Sequence, residues 1–262
     1  MTAAAPRRMK PTTPVPLHRL AIEALCDFLE SSGPPADNRL QPESVLAEQL
    51  GVSRATIRET LLAMEREGYI TKKHGVGTFV HPSALKAKTR IESVVDFGEL
   101  LARTGCTRVE AVTEASAAVA GDYAGSLGVA PDHGLVIYKR VFLADGRPAI
   151  YTIIRVPRAI ISGDSPAPTA AESIFSLIKK ASGEEATHRI AWLKAKTVDA
   201  EVGKALGLTT GEPILSWDSV LYNYRDRPLL HSSVFFNTTV IPLCTVGMTA
   251  SADPTREVEP GD

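Results

Sequence analysis

Two groups of residues in this chain have types and spacing suited to chemistry, and both point to recognition. Ser53, Arg54 and Arg58 open an apolar-periodic stretch, with Ala55 and Thr56 between them. Arg54 and Arg58 are four residues apart and project from one helix face. An Arg placed there can bond guanine bidentately in a major groove, and a Ser can bond phosphate. A second basic group, Lys72-Lys73-His74-Gly75, sits at a glycine-containing tip between two short strand patterns. Further along, period-two alternation places Tyr138, Arg140 and Phe142 on one strand face and Leu230, Ser232, Val234 and Phe236 on another. One guanidinium among rings and aliphatic groups suits an anion with an apolar body; the same face also fits a packed core with Arg140 paired to a local acid.

Signatures of catalysis and of metal or cofactor binding are missing from the sequence. No nucleophile elbow, framed carboxylate pair, HExxH, phosphate loop or dinucleotide fingerprint occurs. Cys26, Cys106 and Cys244 are far apart and form no CxxC or Cys/His cluster, which argues against zinc and against a disulfide framework. Cys26 falls among helical apolar positions and reads as a packed thiol. His188, His231, Trp192 and Trp217 each fall in a strand pattern and read as core or interface residues rather than ligand contacts.

The elements that must position the first group follow from periodicity and stop signals. A helix is expected over Leu17–Leu29, stopped by Ser31-Ser32-Gly33-Pro34-Pro35. A second spans about Pro42–Leu50, Gly51-Val52 turns the chain, and Ser53 caps a third running to about Glu67. Two helices joined by a glycine turn make a helix-turn-helix. Tyr69–Lys73 and Thr78–Val80, around His74-Gly75-Val76-Gly77, read as the strands of a wing.

The second group belongs to an internal repeat with an offset of about 80 residues. One copy runs from Ser126-Leu127-Gly128-Val129 through a strand at Leu135–Ala144, the turn Asp145-Gly146-Arg147-Pro148 and a strand at Ala149–Val156. The other runs from Ala205-Leu206-Gly207-Leu208 through Ile214–Asn223, Arg225-Asp226-Arg227-Pro228 and Leu229–Phe236. Strands near Val109–Val119 and Arg189–Val198 precede the two copies. An α+β domain is expected, with an antiparallel sheet of about six strands and helices on one side.

The segment LQPESVLAEQLGVSRATIRETLLAMEREGYITKKHGVGTFV, Leu40 to Val80, closely resembles the DNA-binding domain of the GntR family. The resemblance implies base reading by Arg54 and Arg58, and minor-groove or backbone contact by His74 and Gly75. Where the family usually has an arginine after Leu-Pro-Ser-Glu, this chain has Ser44, able to make only a short phosphate contact. Residues 93–240 resemble the UTRA effector domain of the HutC subfamily, whose fold is like chorismate lyase. The resemblance implies pocket contributions from Phe97-Gly98 with its backbone, from an Arg-x-Arg strand, from two glutamates and from a tyrosine. Here the Arg-x-Arg reads Arg140-Val141-Phe142, the glutamates fall on Thr152 and Leu230, and the tyrosine falls on Phe236. A buried phosphate dianion needs several charge-assisted donors. One arginine with apolar neighbours therefore favours a small monoanion, such as a carboxylate, with a hydrophobic part.

Composition sets the frame. The chain has 262 residues, enough for two domains of about 80 and 160 residues. Residues 1–90 carry 13 Lys and Arg against 9 Asp and Glu, and the remainder 16 against 21. The N-terminal part is thus basic, as suits a surface facing phosphate. No apolar run reaches the ~20 residues of a membrane span. Arg7, Arg8 and Lys10 are followed by prolines instead of a signal core, which reads as a disordered arm of a cytoplasmic protein. The expected organisation is an arm at 1–15, a winged helix-turn-helix at 16–81, a linker at 82–92, an effector and dimerisation domain at 93–246 and a disordered tail at 247–262. The expected partners are double-stranded palindromic operator DNA, a small effector and a second copy of the chain, with no cofactor and no membrane. The expected activity is regulation of transcription, as a repressor in the usual mode of the family. The alternatives are a C-terminal domain that only dimerises, and a lyase-like enzyme fused to a DNA-binding domain.

Overall fold

The computed structural model describes residues 17–91, 96–161 and 172–247. The expected arm at 1–15, the start of the effector domain at 93–95 and the tail from 248 lie outside the described residues. The chain divides into two compact units, one built on the N-terminal residues up to Ala87 and one spanning Lys88–Cys244.

In the first unit, α1 (Leu17–Ser32), α2 (Glu43–Leu50) and α3 (Arg54–Arg66) are followed by β1 (Ile70–Lys73) and β2 (Gly77–Val80). Helix α1 runs three residues beyond Leu29, and the Ser31 and Ser32 hydroxyls fold back to donate to the Phe28 carbonyl in its last turn. Leu25 and Leu29 from α1, Leu46 from α2 and Ile57, Leu61 and Met64 from α3 share one core with Ile70 and Val80 of the hairpin. Each stripe recurs at helical spacing, so burial follows directly from the sequence pattern. The segment expected to be a featureless linker contains α4 (Pro82–Leu85), with Pro82 in its first turn and Ala84 and Leu85 buried. One helical turn is too short to show a periodicity.

The second unit opens with α5 (Phe97–Ala102) and continues through β3 (Val109–Val119), α6 (Ala124–Leu127), β4 (Gly134–Ala144) and β5 (Arg147–Pro157). After α7 (Ile174–Ser182) come β6 (His188–Thr197), α8 (Ala200–Leu206), β7 (Pro213–Tyr222) and β8 (Pro228–Phe236). The six strands form one antiparallel sheet in the order β3-β4-β5-β8-β7-β6. The repeat explains this order: each copy is a meander, and the copies meet through their last strands at the sheet centre. The β4–β5 hairpin turns through Asp145 and Gly146, both with positive φ as a type I′ turn demands.

The helices do not lie on one side of the sheet as expected. Helices α5 and α7 cover the face bearing Tyr138, Phe142, Ile154 and Phe236. Helices α6 and α8 cover the other, α6 against β8 and α8 against β5. The reason is that Tyr151, Ile153, Ile214 and Phe235, on the second face, are apolar as well, so both faces must be kept from water.

Candidate functional site

The chemistry of the first unit is concentrated at the start of α3. The Ser53 hydroxyl accepts the Thr56 backbone N–H at 3.1 Å and lies 2.8 Å from the Thr56 hydroxyl. Ser53 therefore spends hydrogen-bonding capacity on its own helix. Thr56 is buried and turned inward, whereas Arg54, Ala55 and Arg58 are exposed. Arg58 Nε donates to Glu43 Oε2 at 2.7 Å, an exposed pair linking α3 to α2, and Glu43 raises the guanidinium pKa by that hydrogen bond and by its charge. Ser44 is half-buried in the first turn of α2.

Strands β1 and β2 pair from Ile70↔Val80 to Lys73↔Gly77 and carry Lys73, His74 and Gly75 to an exposed tip, with Lys72 half-buried behind them. Gly75 turns the tip at φ 72°. Sequence reasoning missed Arg39, which bridges to Phe79 as a third short strand. Its guanidinium lies so close to Gly77 that a Cβ there would be 2.7 Å from Arg39 Nε. The signal was present in a lone arginine just before the second helix. The start of α3 and the tip of the wing are each exposed and basic, as suits contact with a groove and its phosphates.

In the second unit a pocket of about 470 Å³, counted to its open mouth, lies on the sheet face covered by α5 and α7. Of the residues expected there, Phe97, Arg140, Phe142 and Leu230 line it. Tyr138 and Thr152 are on the same buried face: Arg140 pairs in register with Thr152, and Tyr138 with Ile154. Neither the Tyr138 nor the Thr152 hydroxyl has a hydrogen-bond partner among the described residues. Phe236 packs behind the pocket against Phe97 and Trp217. The backbone donor expected at Phe97-Gly98 is already used: Asp96 caps α5 by accepting the Gly98 N–H at 2.8 Å. Phe97 thus contributes its ring, and Gly98 contributes no free amide.

Arg140 is 1% exposed. Its Nε donates to Thr113 Oγ1 at 3.2 Å, its Nη2 donates to the Glu172 carbonyl at 3.1 Å, and its guanidinium lies 4.8 Å from the Phe142 ring centroid. Burial pulls its pKa below the usual arginine value, opposed by the charges of Asp96 and Glu172.

A second arginine enters the pocket from an element that sequence reasoning did not connect to it. Arg189, on edge strand β6, lies with its guanidinium 4.7 Å from the Trp217 ring centroid and donates to the Ile91 carbonyl at 3.2 Å. Burial lowers its pKa also. Trp217, set aside in the sequence as core, lines the pocket, and its Nε1–H lacks a partner among the described residues. Ser219 and Ser232 hydroxyls bond each other at 2.8 Å in the same lining. Alternation along β6 would have placed Arg189 on the inner face with Ala191 and Leu193, but its strand pairing depends on long-range register.

The other tempting residues are elsewhere. His231 is on the opposite sheet face, its ring tilted against that of Tyr123 at 4.8 Å between centroids and its Nδ1 3.5 Å from Arg155 Nη1. His188 bonds Asp226 at the exposed end of β6, and Trp192 is exposed on the same strand.

Comparison with known proteins agrees with this two-part construction. Residues 18–80 match the family described as bacterial regulatory proteins, gntR family, and residues 105–240 match the UTRA domain. The HTH-type transcriptional regulator YurK of Bacillus subtilis (strain 168) is 23% identical over 224 residues, 85% of this chain and 92% of YurK. The histidine utilization repressor of Pseudomonas aeruginosa is 32% identical over 101 residues, 38% of this chain and 40% of the repressor. In fold, the chain is similar to the crystal structure of YydK from Bacillus subtilis subsp. subtilis str. 168, with a TM-score of 0.69, 20% identity and coverage of 90% of this chain and 100% of YydK. With a UTRA model spanning more than half of its length behind a matching helix-turn-helix, the chain belongs to the UTRA-domain transcription regulators of the bacterial GntR family.

Proposed function

We propose that this regulator is a repressor that binds a palindromic operator as a homodimer and releases it when a carboxylate with an apolar portion fills the pocket under α5 and α7. The observation that carries the reading is the pocket itself. It is open at its mouth and lined by aromatic and aliphatic side chains with a few polar groups among them, the composition of a small-molecule site. It joins buried arginine to aromatic walls and sits in a different unit from the DNA-facing surface. A domain serving only to dimerise gives no account of a cavity with two guanidiniums and aromatic rings in its lining.

Binding fits this pocket better than catalysis. Among the described residues its one acidic side chain, Asp96, caps α5, and the polar groups beside it are donors or paired serines. Base contacts fall to Arg54 and Arg58, with Ser44, Ser53, Lys72, Lys73, His74 and Gly75 against the backbone and Ala55 at the groove wall. Thr56 serves the fold of the recognition helix more than the DNA. The protein works in the cytoplasm, where its operator is.

The test is to select operator fragments from genomic DNA and to titrate the bound complex with aromatic and aliphatic carboxylates, following fluorescence anisotropy. Release by a carboxylate, lost in Arg140→Ala with operator affinity retained, is the expected result. Tight binding of a hexosamine phosphate with Arg140→Ala harmless would remove the carboxylate reading. Thermal stabilisation by no metabolite at all would favour the dimerisation-only alternative, since a ligand that binds the native state must raise its stability.

A further inference from the structure

The pocket lining carries two guanidiniums, Arg140 and Arg189, and one carboxylate, Asp96, which lies toward Arg140. Arg140 comes from β4 and Arg189 from β6, with β5, β8 and β7 between them. At the usual interstrand spacing their backbones are roughly 19 Å apart across the sheet. Each guanidinium lies over an aromatic ring, Arg140 on Phe142 and Arg189 on Trp217, and the Phe97 ring stands between those two rings at 5.7 and 6.1 Å. Two cations therefore cap the ends of one aromatic wall.

The Arg189 end is the donor-rich one, since Asp96 and the Glu172 carbonyl lie at the Arg140 end. Among the described residues no carboxylate forms an ion pair with Arg189, whose hydrogen bond goes to a neutral carbonyl. Beside it the Trp217 Nε1–H is buried without an acceptor, on a residue 3% exposed. The Thr152 and Tyr138 hydroxyls, also buried without a partner among the described residues, lie on the same sheet face but outside the pocket lining. Buried donors are ordinarily satisfied, and an indole N–H in the pocket lining without an acceptor among the described residues marks a group that a ligand satisfies.

We propose that the effector is a dianion: a flat apolar body along Phe97 with a carboxylate at each end, one held by Arg140 and the other by Arg189 with Trp217 Nε1. A carboxylate at each end matches one guanidinium fork per end, whereas a phosphate would need several cations converging on one point. This rests on the reading of the pocket as the effector site, and it replaces the single acidic group inferred from the lost Arg-x-Arg pair.

Isothermal titration calorimetry on the full chain with benzoate, terephthalate and 2,6-naphthalenedicarboxylate tests it. At least one diacid should bind at least about tenfold more tightly than benzoate, the worth of one charge-assisted bond. Arg189→Gln should abolish that advantage, so that the diacid binds the variant no more tightly than benzoate binds the same variant. Melting temperatures of the unliganded variants guard against a folding defect, and Arg189→Lys serves if Arg189→Gln melts early. Benzoate binding with no gain for either diacid overturns the second carboxylate while sparing the pocket. A gain that survives in Arg189→Gln overturns the role of Arg189. No binding of any probe, with an Arg140→Ala variant behaving as the parent, overturns both readings.

Discussion

Arg54 and Arg58 occupy one helix face but are held differently when DNA is absent. Arg58 must leave Glu43 to reach a base, a small cost because both side chains are exposed. Among the described residues Arg54 has no such ion pair to leave, so its replacement reports base reading more directly. Arg54→Ala should weaken operator binding by about 1–3 kcal/mol and relax discrimination at one base pair in each half-site. Equal binding of operator and random DNA by parent and variant would refute the assignment. At the opposite sheet face of the second unit, His231 makes a different prediction. Burial and the nearby Arg155 charge lower its pKa to about 4, from an unfolded value near 6.5. A base whose pKa is depressed on folding loses native stability as pH falls below its unfolded value, because the unfolded chain takes the proton first. The loss runs from about pH 6.5 to about 4 and reaches roughly 3 kcal/mol. Urea unfolding at pH 7.5 and 5 should show this, and His231→Gln should flatten the difference between the two.

Elements in this chain are positioned by a few close approaches as much as by apolar stripes. In α8, a Cβ on Gly203 would fall 2.8 Å from the Leu208 carbonyl oxygen and 3.3 Å from Val198 Cγ1. The carbonyl belongs to the backbone and cannot turn aside. Gly203→Ala should therefore destabilise by about 1–3 kcal/mol, as overpacking does, despite alanine's better helix propensity. Gly125 in α6 has nothing within 4 Å of such a Cβ. Its alanine variant should be neutral or more stable by up to about 1 kcal/mol, so the pair of urea midpoints separates contact from propensity. For the wing, the hairpin register carries Lys73 and His74 to the tip and leaves Lys72 behind it. Lys72→Ala or Lys73→Ala should weaken all sequences alike and reduce the slope of log affinity against log salt by about 1.

At the scale of the molecule, recognition and control fall in separate units. One winged helix covers only a half-site, and useful specificity against a genome takes two. The second unit has the means to join copies, because its outer strands β3 and β6 expose Val112, Val119, Ile190, Trp192 and Leu193. Edges of that kind need covering. A fragment of residues 88–244 should therefore sediment as a dimer at micromolar concentration, and a monomeric fragment would place the twofold elsewhere. A twofold dimer in turn calls for an inverted-repeat operator.

Helix stripes, the Ser53 cap, the Asp145-Gly146 turn and the duplicated strand pattern are local, carried by residues within a few positions of each other. Those features were legible in the sequence, and with them the two-part architecture, all six sheet strands and four of the pocket-lining residues. Tertiary structure alone decided what depends on register between distant strands. It put helices on both faces of the sheet, used the Gly98 amide for a cap, turned Thr56 inward and brought Arg189 onto Trp217. Alternation says which side of a strand a residue occupies but not which strand lies beside it. A long side chain on an edge strand can therefore supply the second charge of a pocket whose first charge is four strands away.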